Sequence, residues 1–426
     1  MSMYIVIGVM ALFVVMMLSG KFSMLKVGMT CLSILVITGT LTMQEAFANF
    51  TNKNVIMLIG MFALAGKFGK TDLVLNLQKK LLSAKGGSDF KIAFLMFAVS
   101  ALLAQFVPTQ TGIIVIMMSF LAALGSSGEV TVSRMLIPIT FLSTLWMGRL
   151  PIGSGLTSYL MWDTFIEAAG GTTHLDVFSF PMTTIIPSII MLIYCLFTYK
   201  MMPKKEVDLA AYQSRGPRNA EPEHLSKKEN YCIYIAFVLS ILSLVFVKQI
   251  GDRAYAIPLV LDIILIYLKV LDGREMLMTL VNGPALMVGS ILTLADAMTN
   301  SGAGDLVGSA ILKVLGGNPH PLVILLTFGT VAVLLTSFVS NTACMFVLVP
   351  VACNVCVAAG YDCRAVVITV ATCSIMSILT PMSSGGAAMA YSTVGMTVKD
   401  TWKWALPASV IGMLATVINC YLVYPL

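Results

Sequence analysis

The chain is poor in charge: of 426 residues only 11% are Asp, Glu, Lys or Arg, against 58% in the hydrophobic set. A soluble domain carries about 25% charge, so a water-soluble protein of this length is excluded. No polar stretch exceeds roughly thirty residues, which leaves no room for an extramembrane enzyme domain. There is no G-x-x-x-x-G-K-[ST] loop, so no nucleotide-driven step is expected. The spans lack the paired Asp, Ser-His or Asp-rich motifs of intramembrane enzymes, and the chain reads as a non-enzyme. His174, His224 and His320 all fall in loops and make no metal site. The cysteines lie almost all inside apolar runs and form no disulfide framework. Cys353 and Cys356 are read as packing on one apolar helix. The excess of 26 basic over 20 acidic residues is too small to imply nucleic-acid binding.

What is there is a series of apolar runs, near 4–19, 23–41, 53–68, 91–124, 133–168, 183–199, 230–248, 254–270, 283–299, 321–359, 363–396 and 404–424. Spans of about 20 residues make this an all-α polytopic membrane protein. The first run has no basic residue before it and Lys21 after it, the wrong polarity for a cleaved signal peptide. Runs 91–124 and 321–359 are too long for one span and carry polar tips, Pro108-Thr109-Gln110-Thr111 and Ser340-Asn341-Thr342. Arms of about 15 residues reach roughly 22 Å, short of the ~30 Å hydrocarbon core, so each run is expected to form a re-entrant hairpin. Runs 133–168 and 363–396 break at Gly148–Gly155 and Thr380–Gly386, where proline and glycine stop a helix.

The polar segment 201–229 separates two halves, 1–200 and 230–426, and the halves repeat. The two tips correspond, Pro151 corresponds to Pro381, Tyr159 to Tyr391 and Asp72 to Asp305, in order and at nearly one offset. Each unit holds five spans, a hairpin and a broken helix. The odd span number turns the second unit upside down, the inverted-repeat pattern of transporters. With both termini outside and 201–229 cytoplasmic, the outer loops hold only Lys53, Lys248, Arg253, Lys313 and Arg364. The other basic residues except Arg149 fall inside, as cytoplasmic loops require. A multi-pass plasma-membrane protein follows. Leu73, Leu77 and Leu81 suggest an interfacial connector helix, with Leu306, Ala310 and Val314 as a weaker counterpart.

Irregular backbone in lipid is tolerated only where protein or water satisfies it, so the four interruptions are expected to converge on a cavity near the midplane. The half-helix N-termini after Thr111, Gly155, Thr342 and Gly386 offer unpaired N–H groups and positive dipole ends, which suit an anion with several oxygens. Candidate anion contacts are Thr109, Gln110, Thr111, Arg149, Gly153, Ser154, Gly155, Ser340, Asn341, Thr342, Ser384 and Gly385. Ending C-termini, with hydroxyl and amide oxygens, suit sodium. The candidate set for that ion is Ser340, Asn341, Thr380, Ser383 and Ser384. Arg149, aligned with Leu379, is a charge at membrane depth, where charge is expensive and usually functional. It either pairs with a substrate carboxylate, replaces a sodium ion as a fixed charge, or snorkels or ties to a carbonyl. Asp262 is read as a paired structural carboxylate or a proton relay, and Asp296 as solvated near an outer helix end.

Here the chain resembles the divalent anion–sodium symporter family, the dicarboxylate, citrate and sulfate carriers. Ser340-Asn341-Thr342 matches that family's Ser-Asn-Thr tip, and the order of elements matches over nearly the whole chain. The resemblance implies a scaffold, a mobile transport domain containing the hairpins and broken helices, a homodimer and elevator-like movement. The chain departs from the family at three points: the first tip is Thr-Gln-Thr, neither break carries Gly-Thr-Pro-Pro-Asn, and three spans rather than four precede the first hairpin. The expected function is secondary active transport of a small anion, a di- or tricarboxylate or sulfate, coupled to sodium or to anion exchange, with no other cofactor. A sodium–proton or metalloid-anion carrier would need a titratable group at the tips, and they offer none. A passive channel is disfavoured by paired broken helices.

Overall fold

The computed structural model describes residues 2–19, 21–22, 24–68, 70–73, 76, 89–106, 110, 113–114, 116–118, 121, 131–151, 155–205, 207, 225–274, 276, 283–317 and 319–425. Among them every regular element is helical. The first half runs α1 (Ser2–Ser19), α2 (Met24–Ile37), the short α3 (Met43–Ala48), α4 (Lys53–Phe68), α5 (Asp89–Phe106), α6 (Val132–Trp146), α7 (Gly155–Ala168) and α8 (Ser179–Thr198). The second runs α9 (Lys227–Val245), α10 (Arg253–Tyr267), α11 (Gly283–Asn300), α12 (Ala303–Val314), α13 (Pro321–Thr336), α14 (Asn341–Ala359), α15 (Cys363–Ser374), α16 (Gly385–Val394) and α17 (Val398–Val423).

The packing repeats along with the order. Helix α1 lies on α2 as α9 lies on α10; α5 lies on α6 as α13 lies on α15; α2 meets α11 as α10 meets α4. Helices α8 and α17, which hold the same place in the two halves, pack on each other. Their outward faces carry Ile186, Ile189, Ile190, Ile193 and Phe197 on α8, and Leu406, Val410, Leu414, Ile418 and Leu422 on α17. Apolar side chains at helical spacing on an outer surface are what lipid contacts. By length and hydropathy, Ser2–Ser19, Ser179–Met201, Asn341–Ala359 and Val398–Val423 are each long and apolar enough to cross a bilayer.

Polar contacts between loops sort into two groups. Lys53 pairs with Asp252 at 3.2 Å, Thr173 donates to Asp362 at 2.8 Å, and the Arg364 guanidinium lies 4.3 Å from the centre of the Tyr424 ring. These segments were all assigned to the outer side. Lys205 pairs with Asp400 at 2.9 Å, Arg134 donates to the Met202 carbonyl at 3.0 Å, and Asn230 donates to Asp72 at 2.9 Å. These were all assigned to the inner side.

Several expectations change. The second hairpin is tight, with four residues between α13 and α14, but α14 has 19 residues rather than about 15 because its apolar run continues unbroken through Pro350 to Gly360. On α12 the stripe Leu306, Ala310, Val314 faces outward. The packed face is Ala303, Gly304, Gly308 and Leu312, since the two glycines lie against Asn354 where a larger residue would not fit. Leu77 and Leu81 lie outside the described residues. Asp262 is buried, and among the described residues neither of its oxygens has a hydrogen-bond partner, so the expected pairing is not seen there. Asp296 is half-buried and accepts from Asn49 at 2.5 Å rather than being simply solvated. Cys353 and Cys356 keep the packing role expected of them: both are buried free thiols on α14, and the Cys363 thiol at the start of α15 lies 3.8 Å from the Cys353 carbonyl oxygen.

Candidate functional site

Each break is pinned by a side chain from the preceding hairpin arm. In the first half, Gln105 near the end of α5 donates to the Trp146 carbonyl at 2.6 Å and accepts from the Leu150 N–H at 3.1 Å. One amide thus holds both edges of the chain where α6 stops. Gly148 takes a positive φ of 70°, which a side chain rarely tolerates, and this turns the backbone before α7. Gly155, the first residue of α7, is so close to the Leu150 carbonyl oxygen that a Cβ there would overlap it.

The second half uses hydroxyls for the same task. The hydroxyl of Thr336, the last residue of α13, lies 3.0 Å from Asn341 Oδ1 and donates to the carbonyl of Ser374, where α15 stops. Thr380 in the break donates to the Ser337 carbonyl beside the tip. Ser383 is fully buried, and its hydroxyl lies 2.8 Å from both the Ser377 and Thr380 carbonyls. Two serines cap the helices that leave: Ser340 Oγ accepts from Ala343 N at 3.3 Å to start α14, and Ser384 Oγ accepts from Ala387 N at 3.1 Å to start α16. The Tyr391 hydroxyl donates to the Ile378 carbonyl at 2.8 Å and ties α16 back to the break.

The first tip meets the second break. A Cβ on Gly386 would lie 2.5 Å from Gln110 Cδ and 2.6 Å from Ile114 Cδ1, so glycine is what lets the first hairpin lie on the start of α16. The Gln110 amide donates to the Thr140 carbonyl at 3.3 Å and to the Thr144 hydroxyl, both on α6. The second tip reaches the same break through Thr380 and Thr336. The second break therefore lies between the two tips. Of the proposed sodium ligands, Thr380 and Ser383 are hydrogen-bonded within it, and Asn341 and Ser340 border it through Thr336 and the α14 cap. Ser384 and Gly385 open α16, Ser384 half-buried and Gly385 exposed; Asn341 and Thr342 are half-buried, and Ser340 is exposed. Thr109, Thr111, Gly153 and Ser154 lie outside the described residues.

Arg149 does not snorkel. It is 2% exposed, and its Nε donates to the Leu145 carbonyl at 2.6 Å while Nη1 donates to the Thr372 hydroxyl at 3.3 Å on α15. Arg149 thus bridges the two broken helices. Among the described residues its Nη2 has no hydrogen-bond partner, and neither have Trp146 Nε1 and Ser377 Oγ, the last two also beside the breaks. Buried polar atoms are rarely left single in a finished protein; these three lie beside the breaks, and others, on Ser188, Tyr199, Ser240, Asp262, Thr369 and Thr393, are spread through the helices. Trp162, by contrast, is buried against Phe165 and Phe346 with ring centres 5.8 Å away in both cases, so it belongs to packing between α7 and α14. The sequence reading missed Gln105 and Thr336. A buried amide in an apolar arm, at the same repeat offset as the tips, was the available signal.

A lipid-faced bundle with two broken helices, and hairpin tips meeting at one of them, defines a membrane transporter rather than an enzyme. Comparison with known proteins gives the particular group. The family described as "Sodium:sulfate symporter transmembrane region" matches residues 2–424, and the chain belongs to it. An uncharacterized transporter of Methanocaldococcus jannaschii, MJ0672, is 24% identical over 349 residues, 79% of this chain and 74% of that one. The uncharacterized transporter YfbS of Escherichia coli is 24% identical over 136 residues, 32% of this chain, and the match spans only 22% of that relative's length. Among solved structures, Neisseria gonorrhoeae MtrF, described as one of a class of antimetabolite efflux pumps, superposes with a TM-score of 0.62 at 12% identity. It covers 91% of this chain and 84% of its own. The Alcanivorax borkumensis YdaH transporter gives 0.56 at 12% identity, over 92% and 89%. At that identity both speak for the fold alone.

Proposed function

We propose that the protein is a secondary active carrier of a small multi-oxygen anion, a di- or tricarboxylate or sulfate, with sodium as the coupling ion of its second half. The observation that carries this reading is the meeting of both hairpin tips at the second break, with the unpartnered buried hydroxyl of Ser377 beside it. The N-termini of α14 and α16 give the anion a positive dipole end and the amide hydrogens that the Ser340 and Ser384 caps do not take. Gln110, Asn341 and Thr342 border that space from the tips, with Thr109, Thr111, Gly153, Ser154, Gly155 and Gly385 completing the proposed shell. Arg149, with one N–H edge uncommitted, supplies the fixed positive charge. Sodium would take oxygens from Ser340, Asn341, Thr380, Ser383 and Ser384 at the ends of α13 and α15.

In this reading the halves 1–200 and 230–426 are inverted repeats, the hairpins are re-entrant, and both termini face outward from the plasma membrane with 201–229 cytoplasmic. The carrier is a homodimer whose hairpins and broken helices move together past a scaffold. The test is thermal unfolding of the purified protein with succinate, citrate and sulfate, each with sodium and with potassium. A ligand that binds only the folded state stabilises it by about 2.7 kcal/mol at a hundred times its Kd. A sodium-dependent rise in melting temperature with one of the three is expected. No shift with any of them would remove the reading.

A further inference from the structure

We infer that Asp262 is a proton-binding site inside the membrane: in the wedge between α4, α9 and α10 its carboxyl is held as the neutral acid. Asp262 is fully buried, away from both ends of α10, and among the described residues neither of its oxygens has a hydrogen-bond partner. On the neighbouring α9 the hydroxyl of Ser240 is buried and without a partner as well. The first half holds a neutral contact at the matching places. At the offset that relates Gln110 to Asn341, Asp262 corresponds to Cys31 on α2 and Ser240 to Val9 on α1, and the pairs α1–α2 and α9–α10 both pack together. The Cys31 thiol donates to the Val9 carbonyl at 3.9 Å. The second half puts a carboxyl where that thiol stands, and only the protonated carboxyl has a hydrogen to offer.

No counter-charge reaches this wedge. Helices α4 and α9 and the turn Val247–Ile250 pack on α10. On α4, Lys53 pairs with Asp252 just ahead of α10, and Lys67 stands in the last turn. The titratable groups of α9, from Lys227 to Tyr234, all fall in its first turns, and Lys248 lies past its end. On α10 itself Arg253 and Tyr255 stand at the start and Tyr267 at the end. Among the described residues none of these acts on the Asp262 carboxyl. The packing is also closed. A Cβ on Gly60 of α4 would lie 2.7 Å from Leu259 N and 2.9 Å from the Pro258 carbonyl carbon, so α4 rests on the backbone of α10 one turn before Asp262. Pro258 leaves the Ala254 carbonyl without its helix partner, and Ser243 Oγ lies 3.3 Å from that oxygen. A buried carboxylate with no partner is strongly disfavoured, and a proton is the one counterpart that needs no further room.

Infrared difference spectra of purified wild type against Asp262→Asn, in lipid at neutral pH, read the state directly. A carboxylic acid absorbs through its C=O stretch above the main amide band, and a carboxylate absorbs below it. The expected difference is the loss of one acid band that shifts in heavy water; loss of carboxylate bands instead would overturn the proposal. An acid band that appears only after sodium is replaced by potassium would also contradict it, since the site would then hold sodium. Melting temperature gives a second reading. The Asn amide is a neutral isostere of the acid and binds no proton, so Asp262→Asn should melt at or above the wild-type temperature at neutral pH. The gap should close as the pH falls toward about 4, where a free aspartate is itself protonated. An Asp262→Asn protein that cannot be purified, beside an Asp262→Glu protein that can, would show that the charged form is required. None of these readings involves a transported anion, so their failure leaves the anion-carrier proposal standing, and its failure leaves Asp262 untouched.

Discussion

The two breaks occupy the same place in the repeat and are built from different chemistry. The first is rigid and charged: the Gln105 amide holds both edges, Gly155 leaves no space beside the Leu150 carbonyl, and Arg149 reaches across to α15. The second is held by small hydroxyls, from Thr336, Thr380 and Ser383, and is the one that both tips approach. An amide and a guanidinium fix geometry and charge together. Hydroxyl and carbonyl oxygens fix geometry while keeping lone pairs for an ion. The first break thus carries the stiffer anchor, and under the proposed function the second supplies the exchangeable contacts.

Substitutions at matched positions should separate the two. Gly155→Ala has the largest expected effect, because the added carbon meets a backbone carbonyl that cannot rotate away. Overpacking of this kind costs about 3 kcal/mol or more, and the variant should lose most folded protein on size-exclusion chromatography. Gly385→Ala, at an exposed position, should purify and melt like wild type. If both variants behave alike, the first break is not the stiffer one. Next in size is Gln105→Leu, which strips partners from the Trp146 carbonyl and the Leu150 N–H. Leaving such groups unpaired costs about 1–3 kcal/mol each, so its melting temperature should fall further than that of Thr336→Val. A larger fall for Thr336→Val would reverse the assignment. The smallest effect is expected at the caps: Ser384→Ala should lose about 1 kcal/mol, and the half-buried Ser384 should matter more than the exposed Ser340. Uptake measured against sodium concentration should shift to higher sodium for both and remain unchanged in Gln105→Leu membranes that still hold folded protein.

Much of the architecture was legible in the chain because bilayer thickness and backbone hydrogen bonding leave few options. In run 321–359 the polar tip is a tight turn between α13 and α14, and Gly148, Pro151, Pro381 and Gly386 mark in the sequence where α6 and α15 stop and α7 and α16 begin. The Ser-Asn-Thr tip was visible too. Less legible was what reaches across the halves. Nothing in the order of residues says that Gln110 lies on Gly386 rather than beside Gly155, since that contact arises from the packing of α16 on α6. Arg149 was noticed for its charge, but its partners, Leu145 and Thr372, depend on how α6 and α15 approach. Gln105 and Thr336 escaped notice because single polar residues in apolar arms resemble ordinary helix positions until the broken helices they pin are in view. Asp262 misled in the opposite sense: its isolation suggested a partner, and none is found among the described residues.

The contact of the first tip with the second break is the claim from which the rest follows. It can be measured by exchanging Gln110 and Gly386 for cysteines together, in place of a long amide against a glycine, and oxidising native membranes with copper phenanthroline. A disulfide needs Cβ atoms about 3.8 Å apart, and the account predicts that residues 110 and 386 are joined in the double variant, more slowly when a stabilising anion is present. A double variant that folds, retains its melting temperature and forms no such bridge would contradict it.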